Sequence, residues 1–476
     1  MPDADATLPQ WLAYLETLHP TEIDLGLDRI RNVAEKLELT YPYTAITVGG
    51  TNGKGSVCAM LESMILAGGY KAGLYTSPHL IDYNERIRLN GEFATDQQIV
   101  EQFHRIETAR GAVSLSYFEF STLAALLLFQ QHHVDVAILE VGLGGRLDAV
   151  NLVDTDCAVI TSIDIDHSDY LGATREQIAW EKAHIFRPGR PAICADPAPP
   201  KTLVDHAEAM GADLWLFGKD FNYSGDRLQW AYGGREQRRS ALGYPALRGA
   251  NQLLNASAAL AALEALRGDI VIPQHAVRLG LTQAALPGRF QIMPGQPIII
   301  LDVAHNPHAA AALGQNMANM PCAGKTYAVV GMLRDKDVMG TLSKILPHVD
   351  HWLCAGVPGH RALAGHELAA ILRETMHQAV SNPEKNGPDP VALNGIQGLA
   401  ALRPQHTDPD APRRPGVRPA TRDTATKTTA SIEQFDDPVT AYNTARDRAT
   451  VNDRILVFGS FATVGPVLDK LGRKGS

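Results

Sequence analysis

A glycine-rich segment near the start of the chain combines the residue types that bind phosphate. It lies between a short apolar run and a helical pattern, and it reads Gly49-Gly50-Thr51-Asn52-Gly53-Lys54-Gly55-Ser56. Glycines let consecutive backbone N–H groups turn toward phosphate oxygens, and a helix that begins there adds its partial positive charge. Lys54 could reach the terminal phosphates of ATP, and Ser56 could hold Mg²⁺. The simpler interpretation is a tight turn that binds nothing, but it leaves the lysine without a purpose.

Two glycine-rich segments match known nucleotide patterns imperfectly. In the first, Val48 stands where the phosphate-loop pattern has its first glycine, and Gly55 separates the lysine from the serine. In the second, 142–147, the start resembles a dinucleotide fingerprint, but Leu147 stands at the third glycine position. The first segment predicts an ATP site. The second leaves a dinucleotide-dependent oxidoreductase as an alternative.

Acidic and imidazole groups follow other strand-like runs. Glu140 closes the run at 136–139, His167 follows the run at 157–163, and Asp302 and His305 follow the run at 297–301. Ligands of parallel sheets gather at the carboxyl ends of strands, where a Glu oxygen can coordinate Mg²⁺. Each residue also has a simpler interpretation: an ion pair for Glu140, a hydrogen-bonded structural group for His167 and a helix N-cap for Asp302.

Strand-like runs that alternate with helical patterns predict an α/β fold with parallel sheets. The alternation pauses before Pro287 and then resumes. We therefore expect an ATP-binding N-terminal domain at 1–286 and a smaller C-terminal domain at 287–476. Residues 382–433 are rich in Pro, Arg, Asp and Thr and poor in large apolar residues, so we expect a disordered insertion there.

The composition excludes several classes of protein. The 476 residues carry a net charge of −9, which argues against a general nucleic-acid binder. The five cysteines form no C-x-x-C pair, which predicts reduced thiols in the cytoplasm. The apolar run at 123–129 is too short to span a bilayer, and the first residues lack the charge pattern of a signal peptide.

Taken together, the motifs resemble the Mur-ligase superfamily and, more narrowly, the folylpolyglutamate synthase and dihydrofolate synthase family. Eight segments carry the resemblance in the family's order: 23–27, 49–56, 75–80, 139–148, 161–167, 180–183, 286–290 and 302–307. Gly55, which breaks the general phosphate-loop pattern, is what this family's loop carries. The resemblance implies a P-loop-containing, Mur-ligase-like N-terminal domain with a parallel-rich sheet and a smaller Rossmann-like α/β C-terminal domain.

The resemblance also implies roles for individual residues. The implied ATP-binding residues are Thr51, Asn52, Gly53, Lys54, Gly55, Ser56, Asn255, Arg289 and Asp302. The implied Mg²⁺ ligands are Ser56, Ser77, Glu140 and His167, for two ions. The implied substrate-binding residues are Thr21, Glu22, Ile23, Asp24, Ser116, Leu147, Asp148 and Ala149. The implied catalytic residues are Lys54, Lys182 and His305, with a carbamate on Lys182.

By resemblance, the expected activity is ATP-dependent ligation of L-glutamate to dihydropteroate and to the γ-carboxylate of reduced folates, through an acyl phosphate. The expected partners are these small molecules, with no nucleic acid and no membrane, and the expected state is a cytoplasmic monomer. A folylpolyglutamate synthase without the first activity and another Mur-type amino-acid ligase stay open. So does a non-catalytic nucleotide-binding module.

Overall fold

The computed structural model describes residues 2–3, 5–21, 23–226, 228–320, 322–381 and 430–472. Within these ranges the chain divides into two compact units. The first contains the residues up to Tyr223, Leu228–Gln291 and the residues from Val464 onward, and the second contains 224–226 and Ile292–Thr463. The helices of the described ranges include none that is long and apolar enough to cross a membrane.

An eight-stranded sheet forms the centre of the first unit. Its strands are β1 (Thr44–Gly49), β2 (Ala72–Tyr75), β3 (Ile87–Leu89), β4 (Glu92–Phe93), β5 (Val136–Glu140), β6 (Cys157–Ile160), β7 (Pro191–Cys194) and β8 (Asp213–Leu216). Their order is β4-β3-β2-β5-β1-β6-β7-β8. Along this order, all neighbouring strands between β2 and β8 pair in parallel. Only β3 pairs antiparallel, with β2 on one side and β4 on the other. A three-stranded sheet contains β9 (Asn222–Gly225), β10 (Trp230–Gly233) and β11 (Arg238–Leu242).

Helices cover both faces of the large sheet. They are α1 (Leu8–Leu18), α2 (Asp28–Lys36), α3 (Lys54–Ala67), α4 (Asp96–Arg110), α5 (Tyr117–Gln131), α6 (Ser168–Leu171), α7 (Arg175–Ala183), α8 (Lys201–Met210), α9 (Gln252–Ala265) and α10 (Gln274–Gln283). Successive residues of a strand point to opposite faces. Val136 and Ile138 of β5 therefore join the core of α3 and α9, and Ala137 and Leu139 join the core of α5.

A second, mostly parallel sheet contains β12 (Gln291–Met293), β13 (Ile298–Asp302), β14 (Thr326–Val330), β15 (His351–Ala355), β16 (Ser431–Phe435) and β17 (Arg454–Phe458). Its order is β12-β13-β17-β14-β15-β16. The later helices are α11 (Pro307–Ala318), α12 (Val338–Ile345), α13 (Gly365–Ser381), α14 (Pro438–Arg448) and α15 (Phe461–Leu471). Because β13 and β14 both pair with β17, the chain's last strand lies at the centre of this sheet.

The α/β class and the longer strands are confirmed. The predicted strands at 45–48, 134–141, 157–163, 297–301, 327–330 and 454–458 are present as β1, β5, β6, β13, β14 and β17. The sequence analysis missed β3 and β4, which are short and antiparallel, and the three-stranded sheet. All five cysteines are free, as predicted. The chain passes into the second unit after Gln291, and the boundary near Leu286 stays a prediction.

The predicted disordered insertion at 382–433 needs a correction at its end. Residues 431–433 belong to β16, which pairs in parallel with β15 from Ser431 to Phe435. Local composition misled the prediction there, since an edge strand is held by backbone hydrogen bonds to its neighbour and needs few large apolar residues. The rest of the predicted insertion, 382–429, lies outside the described residues.

The phosphate-loop helix α3 is held by a close contact with α10. A Cβ atom on Gly280 of α10 would lie 2.6 Å from both the backbone N and the Cα of Met64 in α3. Backbone atoms cannot rotate away as a side chain can, so only glycine allows this approach. The contact matters for the site because α3 begins at Lys54.

We expect Gly280→Ala to lower the free energy of unfolding by about 1–2 kcal/mol. Replacing glycine by alanine in a helix stabilises it by about 0.8–1.0 kcal/mol, whereas overpacking a core destabilises it by about 1–3 kcal/mol. Overpacking outweighs the gain here, because the new Cβ overlaps backbone atoms that cannot rotate away. The urea midpoint measures the change. Gly268→Ala is the control, because a Cβ there meets no atom within 4 Å. A Gly280→Ala protein as stable as wild type would contradict the packing argument.

Candidate active site

The phosphate loop joins β1 to α3 and depends on two glycines with positive φ. Gly50 has φ +136° and Gly53 has φ +92°. Residues with a Cβ rarely adopt these angles, and at Gly50 a side chain would also overlap the Thr161 hydroxyl. Gly53 directly precedes Lys54, the first residue of α3. The loop therefore ends at a helix N-terminus, where unpaired N–H groups can bind an anion.

The residues that follow β6 hold the loop in place. Thr51 donates its backbone N–H to the Ser162 carbonyl at 2.7 Å, and its hydroxyl donates to the Asp164 carbonyl at 3.1 Å. The Thr161 hydroxyl donates to the Asn52 carbonyl at 2.7 Å. The sequence analysis gave Thr161 and Ser162 no role. No specific sequence pattern indicates this role, since hydroxyl residues after a strand are common in turns.

Two lysines meet at one carbonyl oxygen of this loop. The Lys54 ammonium donates to the Gly50 carbonyl at 3.1 Å and to the Thr51 carbonyl at 3.3 Å. The Lys182 Nζ, which comes from α7, donates to the same Gly50 oxygen at 3.0 Å. The structure thus brings together two of the three predicted catalytic residues.

The environment of Lys182 favours its uncharged form. Its side chain is only 5 % exposed. Burial lowers the pKa of Lys182 to about 7, and the charge of Lys54 lowers it further, while Asp166 and Asp148 oppose the shift. Near neutral pH, a large fraction of this amine is therefore a free nucleophile rather than an ammonium ion.

Glu140 ends β5 and Ser77 follows the neighbouring parallel strand β2, so the two residues lie together. The Ser77 backbone N–H donates to the Glu140 carboxylate at 3.3 Å. The Glu140 side chain is buried, and burial raises its pKa, while the charges of Lys54 and Arg289 offset part of the rise. A buried carboxylate with one long hydrogen bond from the backbone retains oxygen lone pairs that can bind a cation.

This arrangement fits a hard divalent cation. Mg²⁺ uses one or two carboxylates and completes its shell with water and phosphate oxygens. Within the described residues, no group of three or more His, Cys, Asp or Glu side chains is arranged to hold a metal ion. A cation at Glu140 would therefore depend on such oxygens and on hydroxyls. One candidate is Ser56, a buried residue of α3 whose hydroxyl accepts from Gln252 at 3.4 Å.

His167 stands at a strained backbone position after β6. Its φ is +52°, in the left-handed region, and it caps the short helix α6. Its backbone N–H donates to the Asp166 carboxylate at 2.8 Å. Strained positions of this kind are concentrated at functional sites. The role of His167 as a metal ligand stays a prediction.

The segment at 142–149 packs against the end of α7, the helix that carries Lys182, and fixes its position. A Cβ on Gly145 would lie 2.7 Å from the Glu181 carbonyl and 3.0 Å from the Lys182 Cα. Arg146 donates its backbone N–H to the Glu181 carbonyl at 3.0 Å, pairs with the Glu181 carboxylate at 3.1 Å and stacks on the Trp180 ring. Close helix packing thus explains Gly145, one of the glycines that resembled a dinucleotide fingerprint.

Asp148, a predicted substrate residue, is engaged by the backbone. Its carboxylate accepts from the N–H groups of Leu143 at 2.8 Å and Val150 at 3.0 Å. Burial raises the pKa of Asp148 to about 6, while these hydrogen bonds lower it. The predicted neighbours Leu147 and Ala149 lie on the turn that this carboxylate shapes. Whether any of the three contacts substrate stays a prediction.

Among the predicted N-terminal substrate residues, Asp24 is held by an arginine, Arg29, that was not predicted to have a role. Asp24 pairs with Arg29 at 2.7 Å and with His19 at 2.9 Å. Thr21 is exposed and Ile23 is half-buried, and Glu22 lies outside the described residues. The sequence could predict this cluster only if Arg29 and His19 were known to lie close to Asp24.

Ser116 connects to the same cluster through Glu119. The Ser116 hydroxyl caps α5 by accepting the Glu119 N–H at 3.3 Å, and the Ser116 N–H donates to the Glu119 carboxylate at 2.7 Å. Glu119 in turn pairs with Arg29 at 3.3 Å. The capping box explains Ser116 without a ligand, so its contact with substrate stays a prediction.

The remaining predicted ATP residues fall in both units. In the first unit, Asn255 Oδ1 lies 2.7 Å from where a Cβ on Gly53 would stand, which places the amide against the phosphate loop. In the second unit, Asp302 ends β13 and accepts the Ala304 N–H at 2.8 Å. The His305 ring lies 2.9 Å from the Val303 carbonyl. Contact of Asn255, Asp302 and Arg289 with ATP stays a prediction, as does the catalytic role of His305.

Comparison with known proteins assigns the class of this fold and site. The Mur ligase middle domain matches residues 48–263, and the glutamate ligase domain of Mur ligases matches residues 288–386. The first match covers the phosphate loop, Glu140, His167 and Lys182. The fold is thus that of a Mur ligase, with its middle and glutamate ligase domains.

Individual relatives identify the family within the Mur ligases. The Escherichia coli dihydrofolate synthase/folylpolyglutamate synthase is 47% identical over 368 residues, which are 77% of this chain and 86% of the relative. A solved structure of E. coli FolC with DHPP and ADP has a TM-score of 0.84, 40% identity and full coverage of both chains. A bifunctional folylpolyglutamate synthase/dihydrofolate synthase with Mn, AMPPNP and L-glutamate has a TM-score of 0.82, 40% identity and 99% coverage of each chain. The chain belongs to the dihydrofolate synthase/folylpolyglutamate synthase family.

We expect Thr161→Val to weaken binding of the nucleotide analogue AMPPNP about three- to tenfold. The substitution keeps the shape but removes the hydroxyl that holds the Asn52 carbonyl, and losing one such bond costs about 1 kcal/mol. Isothermal titration calorimetry measures the dissociation constant. The Ser162 hydroxyl, 3.1 Å from the same carbonyl, limits the effect.

Thr47→Val is the matched control for this prediction. Thr47 is a buried threonine on β1, and its hydroxyl has no hydrogen-bond partner within the described structure. Removing an unpaired buried hydroxyl is neutral or stabilising, so binding should not change. Equal affinities for the two variants would show that the hydroxyl of Thr161 does not shape the loop.

Proposed function

We propose that this chain ligates L-glutamate to dihydropteroate, and to the γ-carboxylate of reduced folates, at the expense of ATP. The observation that carries the proposal is the match, at 47% identity, to a relative named for both synthase activities. The site agrees with this proposal, since a phosphate loop, a buried carboxylate and two lysines lie near the carboxyl ends of the neighbouring strands β1 and β5. The small-molecule partners, the monomeric state and the cytoplasmic location belong to the same proposal.

The reaction needs no nucleophile from the protein. The substrate carboxylate attacks the γ-phosphorus of ATP in line, and the bond to the bridging oxygen breaks, which releases ADP and leaves an acyl phosphate. The glutamate amine then attacks the acyl carbon, loses a proton and expels phosphate. Such chemistry depends on positioning and charge neutralisation. Lys54 can move from the carbonyls of Gly50 and Thr51 to the γ-phosphate oxygens, where negative charge accumulates.

The proposed metal site uses Ser56, Ser77, Glu140 and His167 for two Mg²⁺ ions. Bound Mg²⁺ would neutralise phosphate charge and align the γ-phosphate with the attacking carboxylate. Burial of Glu140 supports this role, because the charges of Lys54 and Arg289 only partly offset the burial of its carboxylate, and within the described residues it forms no ion pair. The related structure that has Mn and AMPPNP bound supports a divalent metal in this chain as well.

We also propose that Lys182 carries a carbamate. Its uncharged amine attacks CO₂, the new N–C bond forms, and one proton leaves to solvent. The lowered pKa of Lys182 supports this step, because only the free amine is nucleophilic. The product is a carboxylate on Lys182, close to the Lys54 ammonium. An ion pair between these two groups would replace the present arrangement, in which both lysines donate to the Gly50 carbonyl. Lys182 would then supply oxygen to the metal site.

The remaining predicted residues complete the proposal. Thr21–Asp24, Ser116 and 147–149 would line the pterin or folate pocket, and the Asp24–Arg29 pair would hold its first segment. Asn255, Arg289 and Asp302 would bind ATP, and His305 would act in catalysis. Asp302 ends β13 of the second sheet, and His305 lies in the loop that follows it.

An ADP-release assay tests the activity. With L-glutamate and Mg–ATP, we expect release of ADP with dihydropteroate and, separately, with tetrahydrofolate, and none with a UDP-linked cell-wall peptide. Lys54→Ala should lower kcat by roughly 10²–10³, the cost of one preorganised electrostatic contact. Lys201→Ala, at an exposed lysine far from the loop in sequence, is the control. Activity with tetrahydrofolate alone would reduce the function to folylpolyglutamate synthesis.

The carbamate predicts both a spectrum and a chemical rescue. In ¹³C-bicarbonate, the wild-type protein should give a carbamate ¹³C NMR signal that Lys182→Ala lacks. The variant should lose activity and regain part of it with formate or acetate, which fit the space left by the lysine, but not with benzoate, which is too large. A Lys182→Ala protein that keeps the ¹³C signal, or a wild type without one, would exclude the carbamate.

A further inference from the structure

An ion pair in the first unit holds the backbone of one residue after β6. Asp196, which follows β7, is 4 % exposed, and its carboxylate lies 3.0 Å from Arg175 Nη2. The Ile163 N–H donates to Asp196 Oδ2 at 2.7 Å, and Arg175 Nε donates to the Ile163 carbonyl at 2.8 Å. Both backbone polar groups of Ile163 are thus bound by one ion pair. Neither the sequence analysis nor the proposed mechanism gives Arg175 or Asp196 a role.

The backbone on either side of Ile163 binds the phosphate loop. The Ser162 carbonyl accepts the Thr51 N–H at 2.7 Å. The Asp164 N–H donates to the Thr51 hydroxyl at 3.0 Å, and this hydroxyl donates to the Asp164 carbonyl at 3.1 Å. The three residues 162–164 therefore connect the ion pair to the phosphate loop.

The ion pair is also tied to the helix that carries Lys182. Arg175 is the first residue of α7, and Lys182 lies seven residues later, about 10 Å along the helix axis. The turn after β7 adds two contacts: Arg175 Nη2 donates to the Ala198 carbonyl at 3.1 Å, and Asp196 Oδ1 accepts the Ala198 N–H at 2.9 Å. The phosphate loop and the start of α7 thus share one support.

We propose that Arg175 and Asp196 are positioning residues for ATP, which set the phosphate loop through the backbone at 162–164. They act on Thr51 through that backbone and need no contact with the nucleotide. The inference deepens the proposed function and rests on its ATP site, but not on the identity of the substrate that receives glutamate.

The geometry requires an arginine rather than any cation. Arg175 uses Nε for the Ile163 carbonyl and Nη2 for the Asp196 carboxylate and the Ala198 carbonyl. A guanidinium presents these donors in a rigid planar fork, whereas the ammonium of a lysine is a compact charge on a flexible stem. Lysine at this position would keep the charge but could not hold all three groups in the same places.

A second arginine of similar exposure provides a matched control. Arg235 pairs with Asp213 at 2.7 Å and with Asp220 at 2.9 Å, and it donates to the Leu214 carbonyl at 2.7 Å. Its side chain is 33 % exposed, compared with 34 % for Arg175. These contacts lie on and beside β8, the edge strand of the large sheet, and none of them involves the phosphate loop or α7. Arg235 therefore combines ion pairs with a backbone contact but supports a different part of the fold.

Isothermal titration calorimetry with AMPPNP and Mg²⁺ tests the proposal on the full-length protein. We expect Arg175→Lys to weaken AMPPNP binding about tenfold, because the backbone that binds Thr51 is no longer fixed. Arg235→Lys should bind AMPPNP as the wild type does. Asp196→Asn keeps the shape of the side chain but removes its charge, so it should also weaken binding, and it serves as the test if Arg175→Lys does not fold.

A double-mutant cycle shows whether the effect passes through Thr51. Thr51→Val removes the hydroxyl that binds Asp164. In this background, Arg175→Lys should weaken AMPPNP binding by less than about threefold, since part of the connection is already broken. A loss of affinity that arises elsewhere in the fold would instead be the same in both backgrounds.

Several outcomes would overturn the inference. They are wild-type affinity in Arg175→Lys or, where that variant does not fold, in Asp196→Asn; equal weakening by Arg235→Lys; and an undiminished effect in the Thr51→Val background. A wild-type protein that does not bind AMPPNP would overturn the proposed ATP site and this inference together. Because the measurement needs no ligation, a protein that binds AMPPNP but joins no glutamate would contradict the proposed function alone.

Discussion

The carbonyl oxygen of Gly50 is the point on which the site depends. It accepts hydrogen bonds from Lys54 and Lys182 together, and two ammonium ions at one oxygen repel each other. Burial makes the charged form of Lys182 the more costly of the two, so its pKa falls to about 7. Two lysines that bind the same carbonyl oxygen thus differ in their protonation, because only Lys182 is buried deeply enough to lose its charge near neutral pH.

The geometry around that oxygen is held from two sides. Gly50 adopts a positive φ, and the residues after β6 fix the loop through Thr51 and Asn52. On the other side, the close contact of Gly145 with the end of α7 sets the position of Lys182. A side chain at either glycine would move one of the two amines, so the two glycine-rich segments serve one arrangement.

Buried carboxylates in the first unit illustrate three solutions to one problem, since burial raises the pKa of each. Asp148 accepts backbone N–H groups and becomes part of a turn. Glu62 pairs with Arg88 and retains one unpaired oxygen. Glu140 has a single long backbone hydrogen bond and no ion pair within the described part of the chain, which suits it to a metal. The hydrogen-bond and ion-pair partners of each carboxylate therefore determine whether it stabilises the fold or stays able to bind a metal.

The sequence by itself determined the α/β class, the strand–loop–helix at 45–66 and the family, because these follow from local periodicity and from the order of short motifs. Tertiary structure decided the rest. Lys182 and Gly50 are 132 residues apart in the chain, and Thr161 and Asn52 are 109 apart, so neither contact has a local signature. The roles of Asp148 and Ser116 in capping turns and helices, and the pairing of β16 within a polar stretch, likewise depend on neighbours. Protonation state and hydrogen bonding are set by burial and by distant groups, and only folding brings these together.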